Sequence, residues 1–154
     1  METFSFSYDK VKMTDLSVED RELCLQAIEA THGSYAPYSN YNVGAAIRLT
    51  TGEIICGSNQ ENSSYPCGTC AERTALNYAQ ASHPEDVVDT IAVASAQNGA
   101  TTQKPPYPCG MCRQSIAETE HRQKKDIRLL LVGADEVLII PSAACLLPLT
   151  FGNK

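Results

Sequence analysis

The chain has 154 residues, 43% of them hydrophobic, and a formal net charge of −6. That length suits one compact unit with an ordinary core and no need of disulfide stapling. The acidic balance argues against a nucleic-acid polymer as ligand, because such binding rests on Lys and Arg against phosphates.

Residues 1–12 read as an N-terminal arm of a single domain spanning 1–154. The arm has no basic segment followed by an apolar stretch, and the apolar runs at 129–132 and 137–140 are too short to cross a bilayer. A cytoplasmic protein away from membranes is therefore expected. Ser17 opens a helix over Val18 to Thr31, with Asp20 placed for a capping arrangement. Cys24, Ala27, Ile28 and Thr31 share one face of it, which makes Cys24 a small core residue.

The stretch from Tyr35 to Tyr41 is loop-like, with its proline and small polar residues. Val43 to Leu49 and Glu53 to Cys56 flank the turn Thr51-Gly52 and predict a hairpin. From Thr69 to Ala81 the alanines and Leu76 recur at helical spacing. A strand over Ile91 to Ala96 leads into a long polar loop that ends near Tyr107. A helix over Gly110 to His121 comes next, then strands at 127–132 and 137–140. Strands alternating with helices predict an α/β fold, a three-layer α-β-α arrangement around a mixed five-stranded sheet. Cys56 and Cys145 are assigned to the core. His32, His83 and His121, with no partner at ligand spacing, are surface or loop residues. Arg122, Lys124, Lys125 and Arg128 read as a solvated helix end and loop.

Seven cysteines, an odd number in a chain expected to meet a reducing environment, point to metal or catalysis rather than disulfides. Two Cys-x-x-Cys pairs stand out, Cys67-Gly-Thr-Cys70 and Cys109-Gly-Met-Cys112. Taken alone they describe a closed four-thiolate zinc module with no position left for water. The wider pattern, Cys70-Ala-Glu72 followed by Pro108-Cys109-Gly-Met-Cys112, resembles the three-cysteine form of the zinc deaminase signature. There Cys70, Cys109 and Cys112 hold the metal, the fourth position stays open, and Glu72 has work to do. All three cysteines fall where a loop enters a helix, and unpaired N–H groups there favour thiolates. Three thiolates still leave a zinc centre net negative. Arg73, one residue beyond Glu72, is placed to offset that excess by donating towards the sulfurs. Cys67 is assigned to a nearby loop, since a fourth thiolate would close the site.

From Tyr35 to Phe151 the chain resembles the small homotetrameric cytidine deaminases. Ala36-Pro-Tyr-Ser-Asn-Tyr-Asn-Val-Gly-Ala-Ala is similar to the family's first loop and strand, and Asn59-Gln-Glu61-Asn-Ser-Ser-Tyr65 to its ribose-binding stretch. Cys70-Ala-Glu-Arg-Thr-Ala-Leu76, Pro108-Cys-Gly-Met-Cys-Arg-Gln114 and Leu146-Leu-Pro-Leu-Thr-Phe151 resemble its two zinc helices and its C-terminal region. The resemblance implies one zinc per subunit and deamination of cytidine and deoxycytidine to uridine and deoxyuridine, in pyrimidine salvage. A water activated by the zinc would attack carbon 4, with Glu72 as the proton shuttle. It also implies that Asn59 and Glu61 bind the sugar hydroxyls and that Tyr41, where the family commonly has Phe, packs on the substrate beside Ala71. Phe151 and Tyr65 would reach a neighbouring subunit's site within a homotetramer. Two other readings compete: a deaminase of a modified nucleoside or nucleoside antibiotic, and a non-catalytic four-cysteine zinc module.

Overall fold

The computed structural model describes residues 1–152. In chain order its elements are β1 (Asp9–Val11), α1 (Val18–Ala30), β2 (Asn42–Leu49), β3 (Ile54–Ser58), α2 (Ala71–Ser82), β4 (Val88–Gln97), β5 (Ala100–Thr101), α3 (Gly110–Gln123), β6 (Arg128–Val132) and β7 (Val137–Ile140). The strands run β1-β7-β6-β4-β2-β3 across one sheet, with β5 folded back on β4. Among the strands of the described residues only β4 and β6 pair in parallel, and α3 supplies the crossover that a parallel pair requires. The five expected strands are all present, and two short ones join them.

Strand alternation decides which helix covers which face. Ala45, Ile47 and Leu49 of β2, Ile91 and Val93 of β4, and Leu129 and Leu131 of β6 pack with Ala71, Ala75 and Leu76 of α2 and Ile116 of α3. Their neighbours Ala46, Ala92, Ala94, Leu130 and Val132 turn the other way, onto Leu23, Cys24 and Ala27 of α1. The result is a mixed sheet with helices on both sides. No helix among the described residues is long and apolar enough to cross a membrane.

Local chemistry fixes the helix positions. The Ser17 hydroxyl accepts from the Asp20 amide at 3.1 Å and starts α1. Gly57 lets α2 lie directly on β3, since a Cβ there would come within 2.6 Å of the Ala75 nitrogen.

Within the N-terminal arm, Asp9, Lys10 and Val11 pair with Ile139, Leu138 and Val137 at the sheet edge. Two expectations need correcting. Cys56 is exposed, because Ile55 takes the inward position of the short strand β3 and its neighbour must face out. The basic cluster is also divided. Arg128 donates to Asp20 at 2.7 Å and Lys125 to Asp89 at 3.0 Å. Arg48 bridges the same two carboxylates at 3.0 and 3.1 Å, so one ion network ties α1, β2 and β4 to the start of β6.

Candidate active site

The starts of α2 and α3 meet on one face of the sheet. Cys70 precedes the first residue of α2 and Cys109 the first of α3, each with extended backbone and with no amide drawn to its sulfur. The two thiols are therefore free to face one another. Cys70 Sγ lies 3.6 Å from Cys109 Sγ, which lies 3.6 Å from Cys112 Sγ. Among the described residues these are the one group of three metal-ligating side chains that converge, all within 4.8 Å. Cys67 is exposed in a short 3-10 turn over 65–67 and takes no part.

The donor set fits zinc. Ligands at about 2.3 Å in a tetrahedron stand about 3.8 Å apart, close to the spacing of these sulfurs. The charges fit as well. A hydrogen bond from Cys112, with others from Cys109 and Arg73, outweighs burial and lowers the Cys70 thiol to about 5. Cys112, as the donor to Cys70 and in deep burial beside Glu72, is pushed up instead. One thiolate raises the cost of the next, and a divalent cation is what lets three ionise together.

Glu72 is the second residue of α2 and only 5% exposed. Burial raises its carboxyl above the ordinary glutamate range, and the charge of Cys70 adds to the rise. Arg73 lies near enough to favour the Cys70 and Cys112 thiolates, while its own Nε is buried without a hydrogen-bond partner.

Above this cluster opens a cavity of about 730 Å³, within the range of small-molecule sites. Tyr41, Asn59, Glu61, Tyr65, Ala71, Glu72 and Arg73 all line it, as do Cys70 and Cys109. Backbone pairing brings them together. Gln60 exchanges hydrogen bonds with Thr69 at 3.0 and 2.9 Å, and its neighbours Asn59 and Glu61 bond Tyr35 at 3.0 and 2.8 Å. The stretch 59–61 is thus clamped between the loop after α1 and the approach to Cys70.

The polar groups in the wall are largely committed already. Asn59 Oδ1 accepts from the Val43 amide at 2.9 Å and the Ser34 hydroxyl at 2.5 Å, and Nδ2 donates to the Tyr41 carbonyl at 2.9 Å. One Asn59 N–H remains. Glu61 accepts from the Tyr38 and Ser39 amides at 2.9 and 3.3 Å and from the Ser39 hydroxyl. The Ser39 hydroxyl leads these bonds in holding the Glu61 carboxyl below its usual range. Of about four lone-pair sites on a carboxylate, one is left.

Sequence reasoning missed Tyr38 and Ser39 as partners of Glu61, and Tyr107 and Met111 on the rim. Nothing local in the sequence links residue 61 to 38 and 39. The position of Tyr107, two residues before Cys109, was the available signal for the rim. Tyr38 and Tyr65 meet edge to face at the mouth, ring centroids 6.3 Å apart. Phe151 lies outside this cavity, 86% exposed, with its carbonyl held by Gln114 at 2.9 Å.

The family model described as "Cytidine and deoxycytidylate deaminase zinc-binding region" matches residues 17–125. The chain belongs to this deaminase family. Among its relatives, a cytidine deaminase from Halalkalibacterium halodurans is 45% identical over 64% of this chain and 71% of its own length. A protein of Dictyostelium discoideum named as a probable cytidine deaminase is 30% identical over 90% of this chain and 88% of its own. The crystal structure of a cytidine deaminase from Burkholderia pseudomallei superposes with a TM-score of 0.70 at 37% identity, covering 84% of this chain and 97% of that one. The matched region includes Cys70, Glu72, Cys109 and Cys112, and Cys67 stands apart from the three convergent thiols, so the deaminase reading is favoured over a closed four-cysteine module.

Proposed function

We propose that the protein hydrolyses the exocyclic amine of cytidine and deoxycytidine, giving uridine or deoxyuridine and ammonia. The observation that carries this reading is a buried carboxylate, Glu72, beside three convergent thiols at the base of a cavity whose wall keeps one uncommitted hydrogen-bonding position each on Asn59 and Glu61.

Cys70, Cys109 and Cys112 would hold one zinc per chain. When bound, it supplies Lewis-acid activation of water. Glu72 takes a proton from the attacking water and delivers it to the ring nitrogen next to carbon 4. It then carries the remaining proton of the new hydroxyl on carbon 4 to the departing amine, leaving a carbonyl there. A bond from oxygen to carbon 4 forms, the bond from carbon 4 to nitrogen breaks, and ammonia leaves. A carboxyl raised by burial suits both the taking and the giving of protons near neutral pH.

The free Asn59 N–H donates to one sugar hydroxyl, and the remaining Glu61 lone pair accepts from another. Tyr41 packs beside the base and Ala71 lines the wall near Glu72. Arg73 offsets the negative charge of the thiolates. Phe151 and Tyr65 extend to neighbouring sites in a homotetramer, a reading supported by the exposure of both rings. Seven unpaired cysteines suit a reducing compartment, and we place the reaction in the cytoplasm, in pyrimidine salvage.

An ultraviolet assay on cytidine, deoxycytidine, cytosine and cytidine monophosphate tests the substrate. Turnover of the two nucleosides is the expected result. Turnover of the monophosphate without the nucleosides would overturn the assignment.

A further inference from the structure

The Tyr41 hydroxyl donates to Ser95 Oγ at 2.8 Å. Ser95 is fully buried on β4. Its Oγ lies 2.6 Å from Thr102 Oγ1, and Thr102 donates to the Lys104 carbonyl at 2.9 Å. Each hydroxyl has one proton, so the direction is forced. Tyr41 gives to Ser95, Ser95 to Thr102, and Thr102 to Lys104.

The far end of this line of hydroxyls matters because it fixes the start of a segment that Arg113 Nε holds at its other end, by the Pro108 carbonyl at 2.8 Å. Residues 104–109 read Lys-Pro-Pro-Tyr-Pro-Cys, with Pro105, Pro106 and Pro108 all buried. Prolines have no N–H, so this segment has few backbone donors with which to fix itself. It nonetheless carries Pro106 and Tyr107 to the cavity and ends at Cys109. The near end matters equally, since Tyr41 lines the cavity and its carbonyl holds Asn59. A second tie runs alongside. Asn98 and Gly99, at φ 51° and 79°, make the tight turn between β4 and β5, and Asn40 Nδ2 donates to Asn98 Oδ1 at 3.2 Å.

We propose that Ser95 and Thr102 are positioning residues: one directed line of hydroxyls, Tyr41 to Ser95 to Thr102 to the Lys104 carbonyl, sets the distance between the nucleoside wall and the proline segment that delivers Cys109. The nucleoside end of this inference rests on the deaminase reading, while the Cys109 end does not. A phenylalanine at position 41 could fill the same space but could not begin the line.

Two readouts on the intact zinc-loaded protein separate these dependences: the KM for cytidine from steady-state kinetics and the rate of zinc release to a chelator. Ser95→Ala and Thr102→Val should each raise that KM roughly three- to tenfold and speed zinc release several-fold, as expected for one lost hydrogen bond in a line. Thr102→Ser, which keeps the hydroxyl, should restore both. Melting temperature identifies any variant that fails to fold, and the Thr102 pair carries the comparison if Ser95→Ala does. Zinc release from Thr102→Val at the wild-type rate overturns the proposal. So does a Thr102→Ser variant as impaired as Thr102→Val, which would assign the effect to packing. If the wild-type protein turns over no cytidine, the deaminase reading fails and zinc release alone still decides.

Discussion

Cys70 and Cys109 stand 39 residues apart in sequence, yet their Sγ atoms lie 3.6 Å apart, each on the residue that precedes a helix. Cys67, only three residues before Cys70, lies outside that contact. Serine at position 70, 109 or 112 should therefore strip zinc from the purified protein, measured by elemental analysis. Cys67→Ser should leave about one zinc per chain. Loss of metal from that last variant would reinstate a four-thiolate site.

Glu72 tests whether the cluster is catalytic. Glu72→Gln keeps the size of the side chain and removes its ability to take up a proton. Turnover should fall roughly 10²- to 10⁴-fold with zinc content and melting temperature held. A protein that used its zinc only for structure would lose nothing measurable, and retained turnover would remove Glu72 from the reaction.

The convergence of Cys70, Cys109 and Cys112 was legible in the sequence because its signals are local. Cys70-Ala-Glu72 and Cys109-Gly-Met-Cys112 each lie within one helical turn, and helix starts announce themselves through their flanking residues. The face of α1 was legible for the same reason, with Ser17 as its cap. What stayed hidden depends on partners distant in sequence. Asp9-Lys10-Val11 has no alternation of its own and becomes a strand only against β7. Cys56 looked apolar enough for the core, but in a short strand the inward side of Ile55 settles the matter. The capping of Tyr38 and Ser39 by Glu61 spans more than twenty residues of chain. Arg128 likewise meets Asp20 only once the sheet has formed.

Glu61 holds the Tyr38–Ser39 loop, and in the proposed function it also binds the sugar. Glu61→Ala should raise KM for cytidine by roughly tenfold or more, since it removes an acceptor and frees the Tyr38–Ser39 backbone. Glu61→Gln, which keeps one carbonyl oxygen, should fall between. Steady-state kinetics check this: a fall confined to kcat would contradict the assigned role.

Arg73→Ala should accelerate zinc loss to a chelator and lower metal affinity on the order of 10- to 100-fold, as when a group that supports metal ligands is removed. Unchanged affinity and activity would reduce Arg73 to an ordinary member of the cavity wall.

The ion network predicts an acid-sensitive fold. Burial pushes Asp89 up, but hydrogen bonds from Lys125, Thr90 and Arg48 outweigh it and hold the carboxyl at about 2. Asp20 is also lowered, by Arg128 and Arg48 against its burial. Both carboxylates are depressed in the folded state, so the stability they contribute is present above the unfolded value of about 3.9 and is lost as pH falls towards 2. Thermal melts should hold steady from neutral pH to about 5 and then drop steeply. Asp89→Asn should flatten that drop. Asp20→Asn should cost about 3 kcal/mol at neutral pH by leaving two partly buried guanidinium groups short of a partner. A wild-type melting curve indifferent to pH below 4 would contradict this account.

The meeting of two helix starts at three sulfurs has a mechanical side. Between Cys70 and Cys109 the chain runs through α2, crosses the sheet as β4, turns through β5 and returns along the proline segment. An ion held at both ends would fasten that whole excursion into a closed ring. Anything that extracts it would then release a tertiary clasp together with the chemistry, so slow inactivation on storage with a chelator would be a loosening of the fold as much as the loss of a reagent.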